Sequence, residues 1–197
     1  IGDTDLGQTR SGAVYIYRYD GSSWSQEAKI LPDYAPSYDN LQFSSKVFFS
    51  GDVLAVYALG YRPDGSSGPV TGAVWIFRKD GTEWKEEALI EAQDDPRINE
   101  VDSFGYGGPA VAFSDDSNVL AIGAANTKVG DVKQAGAVYV FRHDGAGSWN
   151  QEHIVTEDEP TSFNRLGWAV ALSGDQLVVG PLNGNQGALW FFRYDGT

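Results

Sequence analysis

One phrase occurs four times along the 197 residues: Gly12-Ala13-Val14-Tyr15-Ile16-Tyr17-Arg18, Gly72-Ala73-Val74-Trp75-Ile76-Phe77-Arg78, Gly136-Ala137-Val138-Tyr139-Val140-Phe141-Arg142 and Gly187-Ala188-Leu189-Trp190-Phe191-Phe192-Arg193. Successive copies lie 60, 64 and 51 residues apart. Each runs on to an Asp-Gly pair, at Asp20-Gly21, Asp80-Gly81, Asp144-Gly145 and Asp195-Gly196, and the first three then continue to a Trp-x-x-Glu segment: Trp24 to Glu27, Trp84 to Glu87, Trp149 to Glu152. A period of this length commits a chain to a repeat architecture, because one small supersecondary unit cannot bury its apolar face alone.

A second phrase precedes the first in the later units. It reads Val47 to Val56 around Ser50-Gly51-Asp52, and Val170 to Val179 around Ser173-Gly174-Asp175. The middle copy takes a longer turn through Asp115-Asp116-Ser117-Asn118. A full unit therefore holds four short runs rich in Val, Ile, Tyr, Phe and Trp, which predicts strands. Ser-Gly-Asp and Asp-Gly are hairpin-turn chemistry, and no window carries a helical period over three turns. In Ala73-Val74-Trp75-Ile76-Phe77 both alternating faces are apolar, so the strand must be covered on both sides. Stacked four-stranded sheets do this. The expected fold is all-β: a partial β-propeller of four-stranded antiparallel blades, about three and a half repeats. The units run roughly 1–42 (partial), 43–103, 104–165 and 166–197 (partial), with two, four, four and three strands. A single β-sandwich would not repeat its strand quartets in sequence.

Composition narrows the function. Net charge is −13 and the pI near 4.4, with no basic cluster to neutralise phosphates, so neither nucleic acid nor an anionic membrane surface is an expected partner. There is no cysteine, which removes disulfides, thiolate metal sites and thiol redox chemistry. No apolar run approaches the ~18 residues of a membrane-spanning helix, and no Asn-x-Ser/Thr acceptor occurs.

The residues resemble the FG-GAP repeat of integrin α-subunit heads and of secreted bacterial and algal proteins. The Phe-Gly pair stands at Phe104-Gly105, with Leu166-Gly167 and Phe43-Ser44 in the neighbouring units. The Gly-Ala-Pro element is reduced to Gly123-Ala124-Ala125, Gly180-Pro181-Leu182 and Tyr57-Ala58-Leu59. The Gly-Ala-Val-aromatic strand and the Asp-Gly-x-x-Trp segment are similar to the secreted subfamily. The resemblance implies an extracellular or cell-surface protein and a seven-bladed ring of roughly 400 residues. On that view the chain is part of a longer protein, or copies associate to close the ring. It also implies calcium in Asp-rich loops. Asp3 and Asp5 are the nearest approach to such a cage, although the third acid is missing; a cage needs six to eight oxygens.

Arg18, Arg78, Arg142 and Arg193 recur in every unit, and Glu27, Glu87 and Glu152 in three. An active site is normally singular, so this recurrence predicts structural pairing of each Arg with carboxylates within or between blades. The two histidines, His143 and His153, have no third group to build a nucleophile–base pair. Glu157-Asp158-Glu159 and Asp94-Asp95 sit between units, as solvated charge runs do. Loop aromatics Tyr34, Tyr38, Tyr61, Tyr106 and Trp168 are candidate sugar-stacking positions, or plugs between blades. The expected function is a non-enzymatic binding or structural module that mediates adhesion or assembly through its loops. Its partner would be another protein or the remaining blades of the same propeller. A lectin-like carbohydrate-binding propeller is the alternative, and a hydrolase with its site in the propeller channel a remote one.

Overall fold

The turn sequences fold as their chemistry favours. In this computed structural model, which describes residues 12–33, 41–63, 70–91, 104, 110–183 and 189–193, aspartates close the hairpins with their own side chains. Asp20 Oδ1 accepts from the backbone N–H of Ser22 and of Ser23, each at 2.8 Å. Asp144 Oδ1 accepts from Ala146 at 2.7 Å and Ser148 at 3.0 Å. These aspartate-centred loops mimic a backbone turn and fix where each strand reverses.

Between the turns lie thirteen described strands in four antiparallel sheets. The first sheet holds β1 (Val14–Tyr19) and β2 (Trp24–Ile30). The second holds β3 (Lys46–Ser50), β4 (Val53–Ala58), β5 (Ala73–Asp80) and β6 (Glu83–Ile90). The third holds β7 (Val111–Phe113), β8 (Val119–Ala124), β9 (Ala137–His143) and β10 (Trp149–Val155). The fourth holds β11 (Leu166–Ser173), β12 (Gln176–Pro181) and β13 (Trp190–Arg193). Each sheet is a meander of consecutive strands, with two, four, four and three members as the repeats predict. Among the described residues there is no helix, and no sheet closes on itself.

The two apolar faces of the third strand explain how the sheets stack. Trp75 and Phe77 pack with Val14 and Ile30 of the first sheet, while Val74 and Ile76 pack with Ile122, Tyr139 and Phe141 of the third. Val138 in turn meets Leu177 and Val179 of the fourth sheet. In the third strands Trp75, Phe77, Tyr139 and Phe141 thus look back to the preceding sheet, and Val74, Ile76 and Val138 forward to the next. Edge-on aromatic contacts fill the spaces, as between Phe43 and Trp75 at 5.7 Å and between Phe104 and Tyr139 at 5.7 Å, a favoured geometry for ring quadrupoles.

The repeated glycine has a steric cause. Gly136 has φ +90°, and a Cβ there would stand 2.2 Å from the carbonyl oxygen of Leu166, where the chain enters the fourth sheet. Gly12 stands in the same relation to the Phe43 carbonyl, with φ +85°. Backbone bonds lock this crossing: Leu166 N donates to Ala135 O at 2.8 Å and Arg165 N to Gln134 O at 3.0 Å. The Gly-Ala phrase of one unit is therefore shaped by the Phe-Gly-like element of the next.

A bulge recurs in each outermost strand. In β6 the pairing runs Phe77↔Glu86 and then Ile76↔Ala88, leaving Glu87 as an extra residue. β2 skips Glu27 and β10 skips Glu152 in the same way. A bulge sets two residues against one on the partner strand. Here it lets Glu87 and Ala88 share the forward face, while Trp84, Glu86 and Leu89 keep the backward one.

Candidate functional site

The bulged glutamates organise the contacts between sheets. Within each sheet the recurring Arg and Glu pair: Arg18 Nε with Glu27, Arg78 Nε with Glu87, and Arg142 Nε with both Glu152 oxygens at 3.1 and 3.0 Å. Each of the first two glutamates also accepts an indole N–H from the following sheet. Trp84 Nε1 donates to Glu27 Oε1 at 3.3 Å, and Trp149 Nε1 to Glu87 Oε1 at 2.7 Å. The residue after the recurring Arg adds a further contact. Lys79 Nζ reaches Glu27 Oε1 at 2.6 Å, and His143 Nε2 lies 3.5 Å from Glu87 Oε1. His143 Nδ1 accepts from Gly145 N at 3.2 Å, and its buried Nε2 makes no hydrogen bond among the described residues.

These bonds set the charge state of the junctions. Hydrogen bonds from Arg18 and then Lys79 hold the Glu27 carboxyl down to about 2. For Glu87, burial pushes upward, but the bonds from Arg78 and Trp149 outweigh it and leave the group below its usual value. Glu86 is pushed up by burial, against the Asp33 N–H that it accepts at 2.6 Å. Both junction glutamates are anions at neutral pH. The arginines are paired as their recurrence predicts, and the fourth of them, Arg193, is held by Asp175 Oδ2 at 2.7 Å. First-hairpin turns add a parallel tie, with Ser50 Oγ 2.9 Å from Ser117 Oγ and Ser173 Oγ donating to Asp115 Oδ2 at 3.3 Å.

The ends of the stack present the same surfaces uncovered. Tyr15, Tyr17 and Tyr19 of β1 and Trp24 of β2 are exposed on the backward face of the first sheet, and Trp24 is 69% accessible. Leu189 and Phe191 are exposed on the forward face of the fourth, Phe191 at 72%. Positions equivalent to these are buried or half-buried in the middle sheets. A groove of about 720 Å³ opens between the third and fourth sheets, with Val140, Ile154, Leu177 and Phe192 as its apolar lining and Glu152 and Arg193 at its polar margin.

Of the site candidates read from the sequence, Tyr61 and Trp168 lie among the described residues. Asp3, Asp5, Tyr34, Tyr38 and Tyr106 lie outside the described residues, as do Asp94 and Asp95. Tyr61 is only 6% accessible and stands edge-on to Trp75 at 5.4 Å. It is a plug in the core between the first two sheets and offers no ring face to a sugar. Trp168 is 42% accessible at the start of β11. Glu157 accepts from Asn164 Nδ2 and from Thr161 N, at 3.3 Å in the latter case, so part of the acidic run ties its own loop. Among the described residues no cluster of three or more His, Asp or Glu side chains could hold a metal ion. His143 belongs to the sheet junction, and His153 lines the groove with no nucleophile hydrogen-bonded to it among the described residues. Sequence reading found the arginine pairs but not the indole donors, although the common Trp-x-x-Glu spacing was a signal for them. No family model matches the chain, and no curated protein matches it.

Proposed function

We propose that this chain is a segment of an FG-GAP-like β-propeller, each sheet being one blade, and that it acts as a non-enzymatic binding or structural module outside the cell. The observation that carries the reading is the repetition of one junction: a bulged Glu on each outer strand, its Arg on the strand beside it, and an indole from the next sheet. The polar groups that recur are thereby used to join sheets, and the loops are left as the variable surface for a protein partner. The first strands of successive sheets, β3, β7 and β11, are neighbours, and β2 lies beside β6 at the outer side, an order that radial blades would share.

A lectin-like reading has one observation in its favour, the accessible ring of Trp168. A glycan array and a cell-adhesion assay, each run with the wild type, Trp168→Ala and Tyr38→Ala, separate the two. Adhesion that persists in both variants and in the presence of free sugars supports the protein-binding module. Glycan binding that is lost with either ring replaces it with the lectin. Turnover of a glycoside or ester, abolished by one Asp or Glu substitution, would overturn the non-enzymatic reading altogether.

A further inference from the structure

Two junctions share one plan and differ in their cation. In both, the residue after the recurring Arg reaches back to the bulged Glu of the preceding sheet. At the first it is Lys79, whose Nζ meets Glu27 Oε1 at 2.6 Å. At the second it is His143, whose Nε2 lies 3.5 Å from Glu87 Oε1. The other partners match: Arg18 and Trp84 bind Glu27 as Arg78 and Trp149 bind Glu87. A lysine is a cation throughout the neutral range, whereas an imidazole changes charge within it.

His143 is held where that change of charge is felt. Its side chain is only 10% accessible, and that of Glu87 11%. Nε2 is buried with no hydrogen-bond partner among the described residues, while Nδ1 accepts from Gly145 N. The ring lies 5.3 Å from that of Trp149, its partner across β9 and β10. The second sheet brings Glu87 and the Arg78 bound to it, and Lys85, opposite Arg78, is tied to Asp80 at 2.6 Å. On its own hairpin Asp144 accepts from Ala146 and Ser148. The adjoining turn, whose Asn118 carbonyl accepts the His143 backbone N–H, carries Asp116, which accepts from Ser114 and Asn118. Glu87 is thus the carboxylate that Nε2 faces. We propose that His143 is a pH-sensitive latch between the second and third sheets. Protonated, it makes with Glu87 the ion pair that Lys79 makes permanently with Glu27; neutral, it leaves the junction to Arg78 and the indole. An imidazolium donates from both nitrogens, so taking up the proton gives up the Gly145 bond to Nδ1, and the latch is weaker than the lysine's. A cation here adds stability below the imidazole range that is lost as pH rises through it, the reverse of the carboxylates' direction. The latch needs the junction but not the ring, so it stands or falls separately from the propeller reading.

The test follows the imidazole resonances of the 197-residue chain by nuclear magnetic resonance as pH is varied. His153, exposed on β10, serves as the internal reference, and His153→Gln assigns the two signals. Glu87→Gln keeps an acceptor for the indole but removes the charge. It should lower the His143 midpoint by about half a pH unit or more and leave that of His153 in place. Melting temperatures give a second reading that does not depend on Glu87→Gln being folded. His143→Gln should melt close to the wild type at about pH 8 and about 2 °C below it at about pH 5.5. His143→Lys, which copies the first junction, should differ from the wild type least at the lower pH, where both carry a cation. A His143 midpoint that Glu87→Gln does not move overturns the latch. So does a His143→Gln penalty equal at the two pH values, because the ring would then act by packing alone.

Discussion

At the residue scale, the positions that recur do so for separable reasons. The glycine before the third strand recurs because another group passes within contact distance: a backbone at Gly12 and Gly136, and the Tyr57 ring at Gly72. Gly136 combines a left-handed φ with a site where a Cβ meets the Leu166 carbonyl. Gly136→Ala should therefore cost about 2–3 kcal/mol, from strain and overpacking together, read as a lower denaturation midpoint at an unchanged slope. A stability equal to wild type would mean that the crossing is looser than described. Glu and Trp recur because each satisfies a polar group that the stacking of sheets would otherwise bury unpaired. Tyr61 shows the limit of residue-level reading. Beside a Gly- and Ser-rich loop it resembles a surface aromatic, yet it fills the space next to Trp75. Only tertiary packing distinguishes the two.

At the element scale, strands and turns were legible because their causes are local. Alternation of apolar residues on both faces demands cover, and Asp-Gly or Ser-Gly-Asp demands reversal, so the sequence of two, four, four and three strands could be read directly. The bulge was not legible. Gln26, Glu86 and Gln151, which precede the skipped glutamates, are ordinary strand residues, and no glycine marks the site. Its role is nevertheless definite, because it inserts a forward-facing carboxylate without changing the face of the residues on either side. Deleting Glu87 should leave Ala88 and Ile90 forward and Leu89 backward in a regular ladder opposite Ile76, Val74 and Trp75, and remove only the partner of Arg78 and of the Trp149 indole. The expected result is a cooperative thermal transition at a lower temperature, like that of Glu87→Ala. A deletion variant that loses the cooperative transition while Glu87→Ala keeps it would deny the bulge this role. The indole–carboxylate contacts were equally hidden, since donor and acceptor lie 57 and 62 residues apart on different sheets.

At the scale of the whole molecule, the chain is a stack whose junctions depend on ionised carboxylates. Glu27 is held near 2, and Glu87, Asp116, Asp144 and Asp175 are also lowered. A carboxyl with a depressed folded-state pKa contributes stability above its ordinary value and loses it as pH falls toward the folded one. Glu86, raised by burial, works in the opposite direction but is outnumbered. Thermal stability should thus hold from neutral pH to about 5 and fall between about 4.5 and 2; a melting temperature flat across that interval would contradict the junction chemistry. The most direct test of the central claim, that successive sheets are joined by an indole-to-carboxylate bond, is a double-mutant cycle across the second and third sheets. Trp149→Phe and Glu87→Ala, alone and together, are compared by denaturant unfolding, with Glu27→Ala and Trp149→Phe as the control pair on separate junctions. Coupling of about 1 kcal/mol is expected between Trp149 and Glu87, and additivity in the control. Additivity in both cycles would contradict the claim.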